Sequence, residues 1–392
     1  MLRPIVTTVD PGKIGMTHPW LRTRLEGSFQ ALLTGKAVTD EHEPLFSGVG
    51  FESASFSAWY GGRIFSETHD SEYRTRSIEV GEPQTEKIVI SGIGELEAIR
   101  QAHVASDHAS SQVRALSILR INFDRMLSLS EAMDLSLGLE LVFGFLVGFR
   151  PEPPTFHLWW PPHAEDESSE IRDAELELGG VHFRSDKSPH PFNCVHVRGR
   201  DGAGLEQVVA GYAANPSDIV NRIHAIQIGR WFGSTLNDKF AAVMPIFEEC
   251  LKAKYRLAPE LTYMEAEAKF FAYVDSSGDP DLIEFSKKHL EVKDRKSPSL
   301  STLIGRALDE LNAAGFRFDL KLASRIAKRR ATMFHSAPLM SDNDVREFYT
   351  ETRAVTAALM LLTLRDLAVD ISQLPQAYNA MNDFTPFMPE MP

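Results

Sequence analysis

The spacing of apolar positions changes character near residue 256. Ahead of it, short apolar runs stand between Gly, Pro and polar punctuation, the spacing of strands and turns. The stretch 45–59 (LFSGVGFESASFSAW) alternates locally, with Phe51, Ser53, Ser55 and Ser57 opposite Glu52, Ala54 and Phe56, and is predicted as a strand. Segments 74–80, 86–90, 113–123 and 155–160 are predicted as further strands, with Gly61-Gly62 and Gly81-Glu82-Pro83 as turns. One helix interrupts them. Ser128 and Glu131 form a capping-box pattern, apolar positions run on to Phe149, and Pro151 and Pro153-Pro154 stop it. Its apolar run from Leu135 to Phe149 carries Glu140 and is too short for a bilayer, so it reads as a buried helix. Segment 161–204 is polar, spotted with Gly and Pro, and reads as loop or edge structure. Residues 205–255 are treated as connecting material, since 227–231 and 243–250 fit strand and helix alike.

Beyond it, helical punctuation takes over. Pro259 suits a first helical position, with a helix over 261–274 ended by Ser276-Ser277-Gly278. Asp279-Pro280 opens a second, to about Leu290, and Ser297-Pro298 precedes a third, over 300–314, closed by Gly315. Asp319 caps a fourth, which runs through Leu322, Ile326, Met333 and Phe334 until Pro338. Asn343 caps a long fifth, to about Asp370, with Val345, Phe348, Tyr349, Val355, Leu359, Leu362 and Leu367 as its apolar stripe. Short connections between successive helices imply an antiparallel bundle. The last twenty residues, with four prolines, read as a tail packed on the surface. The expected fold class is therefore α+β: a strand-rich N-terminal domain with its connecting segment, 1–255, before an all-α bundle with its tail, 256–392.

Composition sharpens this only in places. The 392 residues, 43% hydrophobic and 24% charged, are ordinary globular material and enough for two domains. Cys194 and Cys250 offer no disulfide framework, and Met1-Leu-Arg-Pro leads into no apolar signal core, so a cytoplasmic protein off the membrane is expected. Charge is more informative. The chain carries −13 in total, yet residues 285–330 hold twelve Lys or Arg against five acids. An acidic body with one basic segment keeps polyanions away except at a chosen place. Within that segment Arg325, Lys328 and Arg329 are the candidate phosphate ligands for RNA.

At the end of the basic helix stands R-A-T-M-F-H, in which Arg330 and His335 bracket four residues. The pattern is weak alone, but it falls inside a late helical bundle and a long helix follows directly. The motif, the stretch 45–59, the helix from Ser128 and the helical region 256–372 together resemble ApeA-type proteins, bacterial antiphage-defence factors with a strand-rich domain before a HEPN domain. The resemblance spans most of the chain, while its sharp motif covers six residues. It implies a metal-independent endoribonuclease, without cofactor, active as a homodimer, with Arg330 and His335 in the catalytic cleft and a phage-derived trigger sensed by the N-terminal domain. The family often places Asn, Asp or His after the arginine, and this chain has Ala331; Thr332 and Ser336 are the candidates to replace that polar group.

The chemistry is compatible. RNA carries its own nucleophile, the 2′-OH, and cleavage needs a base, an acid and a cation for the phosphorane charge. Arginine's fork suits the phosphate, and a histidine near a helix C-terminus suits proton transfer. One motif supplies one histidine, so acid and base together call for two chains. The fifth helix has more apolar surface around Met360 than one face needs, which points to that region as an interface. Other chemistry is thin. Glu265 and Glu267 are candidates to orient the arginine, against a plainer reading as exposed carboxylates. His182, His190, Cys194 and His196 have no metal-ligand spacing, and Gly92-Ile-Gly94 lacks the rest of a phosphate loop. The rival reading is a non-catalytic HEPN scaffold that binds RNA or protein.

Overall fold

A computed structural model describes residues 6–9, 31–34, 40, 42–61, 64–69, 76–106, 111–148, 155–160, 172–178, 204–230, 235–255, 261–286, 288, 298–333, 342–372 and 387. The architecture is α+β, with strands early and helices late. Contacts divide the chain into two units. The first takes residues 1–223 and 362–386, the second 224–361 and 387–392.

In the first unit, eight strands form one sheet in the order β1 (Val6–Val9), β2 (Ala31–Thr34), β10 (Arg172–Leu178), β9 (Thr155–Trp160), β3 (Phe46–Glu52), β8 (Ser111–Leu127), β7 (Gly94–Ser106), β6 (Gln84–Ile90). Among the described strands only the β1–β2 pair is parallel. A separate hairpin joins β4 (Phe65–His69) to β5 (Arg76–Val80). Register aligns two apolar rows across the sheet: Leu158, Val49, Ile121 and Leu96 in one, Phe156, Phe51, Leu119 and Ala98 in the other, all buried. β3 has glycine at 48 because Trp159 of the neighbouring strand crosses there, where any Cβ would collide with the indole.

The stretch 45–59 is not one strand. β3 ends at Glu52, and the Ser53 hydroxyl accepts from Phe56 N at 2.8 Å, capping helix α1 (Ala54–Tyr60). The serines that suggested alternation serve as cap and helix-face residues instead. The helix α2 (Leu129–Val147) has the expected capping box, and Gly148 closes it at φ 77°. Phe143 of α2 lies 4.9 Å from the Phe56 ring and 5.1 Å from that of Trp59, so α1 and α2 pack through aromatic rings. No described helix is long and apolar enough to cross a membrane.

The segment 205–255, which by sequence fits strand and helix alike, contains three helices: α3 (Leu205–Ala214), α4 (Pro216–Arg230) and α5 (Leu236–Tyr255). Gly138 of α2 admits the Tyr212 hydroxyl of α3. Arg222 of α4, buried, is held between Asp218 and Asp366. The polar stretch 161–204 also contains β10.

The second unit holds the end of α4, all of α5, then α6 (Leu261–Ser277), α7 (Pro280–Phe285, capped by Asp279), α8 (Leu300–Ala313), α9 (Lys321–Met333) and most of α10 (Asp342–Asp366). Gly315 at φ 102° turns the chain after α8. The Asn312 side chain then grips Phe318 at both N–H and C=O, at 2.7 and 3.0 Å, fixing the approach to α9. Phe387 stacks on Phe318 at 4.4 Å, so the tail has one buried anchor there. Helix α10 starts at Asp342, one residue before the expected cap Asn343, and ends at Asp366. Residues 342–350 are exposed apart from Phe348, whereas Ala354–Leu364 is buried throughout. The apolar surface around Met360 is therefore interior to the chain, and the expectation of an interface there is corrected.

Candidate functional site

Helix α9 turns Leu322, Ala323 and Ile326 inward and spreads its cations over the rest of its circumference. Arg325 and Arg329 are one turn apart and reach the same carboxylate on α10. Arg325 Nε donates to Glu351 Oε1 at 3.2 Å, and Arg329 Nε donates to Oε2 at 2.9 Å. The Glu351 side chain is only 2% exposed, so this is a charge withdrawn from water and answered by two guanidinium groups. Arg329 also lies over the Phe348 ring at 5.1 Å, and Arg325 reaches Glu347 at 3.9 Å. Lys328 stands between them in sequence and faces solvent.

Arg330 points elsewhere. Its Nε donates at 3.0 Å to Glu248 Oε2 on α5, and Lys252 binds the other oxygen, Oε1, at 2.7 Å. Burial pushes the Glu248 carboxyl up, but the hydrogen bond from Lys252 and the charge of Arg330 outweigh it and hold the group below the ordinary carboxylate range. The Arg330 side chain is 42% exposed while its partner is 13% exposed, so the arginine is anchored at Nε and still meets solvent. Ala331 is exposed, and the Thr332 hydroxyl bonds back to the Lys328 and Arg329 carbonyls, each at 3.0 Å. Thr332 is thus occupied within its own helix.

The four basic residues singled out in sequence are not one patch. Arg325 and Arg329 are joined on Glu351, Arg330 is joined to Glu248, and Lys328 is directed outward. His335 lies outside the described residues, two positions beyond Met333, as do Ser336, Phe334 and Pro338. His182, His190, Cys194 and His196 also lie outside them, and of the Glu265 and Glu267 side chains nothing is described. Among the described residues no group of three His, Cys, Asp or Glu gathers as a metal site.

Compared with known proteins, the chain matches no family model, no curated protein and no solved structure. The site is therefore read from its own residues. Sequence reasoning missed Glu248, Glu347 and Glu351. The signal for the last two was present: acids four apart at 347 and 351 complement cations four apart at 325 and 329. Glu248 had no such signal, since it sits in a helix interrupted by Pro245 and eighty-two residues from Arg330.

Proposed function

We propose that the chain is a metal-independent endoribonuclease of the HEPN type, an antiphage-defence effector that acts as a homodimer. The observation that carries the reading is Arg330: it ends a basic helix, is anchored through Nε on Glu248 and meets solvent, five residues ahead of His335. In the proposed reaction one histidine takes the proton of the 2′-OH, whose oxygen attacks the adjacent phosphorus. The 5′-oxygen leaves with a proton from the second histidine, giving a 2′,3′-cyclic phosphate, and Arg330 meets the charge on the phosphorane. Lys328 and Arg325 carry backbone phosphates, and Arg329 braces that surface through Glu351. The second histidine comes from a second chain, and the N-terminal unit senses a phage-derived trigger.

The test is incubation of total cellular RNA with wild type, Arg330→Ala and His335→Ala in EDTA. Each variant is expected to lose at least about a hundredfold in cleavage, the scale of one acid–base or charge-stabilising group. Mixing His335→Ala with wild type should depress activity below simple dilution. Equal cleavage by either single variant would remove the assignment. A second reading, a non-catalytic RNA-binding scaffold, is favoured by Ala331 and by the Thr332 hydroxyl being committed to its own helix. It is the outcome if RNA binds, with Lys328→Ala weakening it, and no strand is cut.

A further inference from the structure

The cores of both units hold a carboxylate, and the one in the first unit meets no cation among the described residues. Glu140 lies in the middle of α2, 7% exposed, on the face that packs against α1. Its Oε1 accepts from the Ser55 hydroxyl at 2.8 Å, and its Oε2 is buried with no hydrogen-bond partner. An ionised carboxylate in that state carries a large desolvation cost, whereas a neutral carboxylic acid needs far less. Phe143, three residues on from Glu140 in α2, packs on the rings of Phe56 and Trp59 of α1.

Helices α1 and α3 and strands β3 and β8, which pack on α2, bring it no compensating charge among the described residues. Helix α1 contains no acidic or basic residue; its Tyr60 hydroxyl donates to Glu86. On β3 the one ionisable residue is Glu52, at the exposed end. On β8, Arg120 and Arg125 are exposed and paired with Glu97 and Glu131, Asp124 is exposed, and the Arg114 side chain lies outside the described residues. Helix α3 contributes exposed Glu206 and the Tyr212 hydroxyl, which sits at Gly138 near Asp134. On α2 itself, Glu131 is paired with Arg125 and Asp134 is near the other end of the helix from Gly148. Among the described residues, no positive charge reaches Glu140.

We propose that Glu140 is a proton-operated catch in the first unit: protonated, it lets α2 seat against α1, and on losing the proton it loosens that contact. Burial, opposed by the Ser53 and Ser55 hydroxyls, raises the carboxyl to about 7, so the catch works around neutrality. The sign follows from linkage. A carboxyl raised from 4.5 in the unfolded chain keeps its proton longer when folded, so stability is complete below about 4.5, falls between there and about 7, and is flat above. The device is independent of any nuclease activity.

The test uses the full chain and two readouts. Thermal unfolding of wild type and Glu140→Gln is followed from pH 5 to 8. The amide is the neutral isostere of the protonated acid, so the two are expected to melt alike at pH 5, with the variant melting higher at pH 8. Repulsion among the other carboxylates is common to both and drops out of the difference. Identical pH dependence in the two proteins would overturn the proposal. Should Glu140→Gln fail to fold, infrared titration of wild type decides: a buried carboxylic-acid carbonyl band that persists at pH 6 and disappears by pH 8.5 is expected, and a carboxylate already fully ionised at pH 6 overturns it.

Discussion

Glu140 on α2 and Glu351 on α10 are both lifted out of water, at 7% and 2% exposure, yet their surroundings differ in kind. Glu351 is met on both oxygens by arginines. Glu140 is met by serine hydroxyls and, among the described residues, by no cation. One region therefore buries an ion, the other an acid. The helical unit keeps its charge and spends two long side chains holding it; the sheet unit gives up the charge and leaves its packing hostage to a proton. Ion pairs of the first sort fix the spacing of α9 and α10, because both arginines must reach one carboxylate. The second sort fixes nothing by itself and relies on the aromatic cluster around it.

The largest effect that would break this contrast is at Glu351. Glu351→Ala leaves two guanidinium groups beside a buried gap, and a loss of about 3–5 kcal/mol is expected, read as a lower urea midpoint at unchanged slope. Against it, Glu140→Gln is expected to cost nothing below pH 5. A Glu351→Ala protein as stable as wild type would mean that Arg325 and Arg329 are satisfied by solvent and that the two regions do not differ.

Next in size is the packing of α2 on α3. A Cβ at Gly138 would run into the Tyr212 hydroxyl, whose ionisation burial and the charge of Asp134 push up to about 12. Gly138→Ala is expected to cost about 1–3 kcal/mol from overpacking, most of it recovered in the double variant with Tyr212→Phe. Additive losses in the two variants would show that the hydroxyl is not what the methyl group meets.

The smallest effect sets the acid side of the same unit. Glu131 is held at about 2 by the hydrogen bond from Arg125 and by the Ser128 N–H, well below the 4.5 of the unfolded chain. Its contribution is present above about 4.5 and is lost as pH falls towards 2, opposite in direction to Glu140. The Arg125–Glu131 pair is exposed, so salt should erase most of it. Glu131→Gln is expected to flatten the pH 5 to 2.5 limb of the melting curve slightly in low salt and not at all in high salt.

What could be read from the chain beforehand followed the strength of local signals. The box at Ser128, Asp279 before α7, and Gly315 after α8 act within four residues of themselves, and each is where the sequence places it. Ser53 was misread because alternating serines suit strand and cap alike until the Phe56 N–H is seen bonded to it. Pro245 inside α5 hid a twenty-residue helix. The partners of Arg325, Arg329 and Arg330 were invisible for another reason: a carboxylate on a different helix is chosen by packing, and no local spacing announces it. Around Met360 the apolar excess was real, but a helix surrounded by its own chain needs such an excess as much as an interface does.

The division of the chain has a consequence for its birth. The first unit includes residues 362–386 as well as 1–223, so its opening and closing pieces are separated by the whole of 224–361. A ribosome adding about 5–20 residues per second takes on the order of ten seconds to cross that gap. Throughout it the sheet stands without Asp366, one of the two carboxylates that bind buried Arg222. Translation of 362–386 thus seals what 1–223 began, and a chain cut short anywhere before residue 362 lacks the closing piece of its first unit.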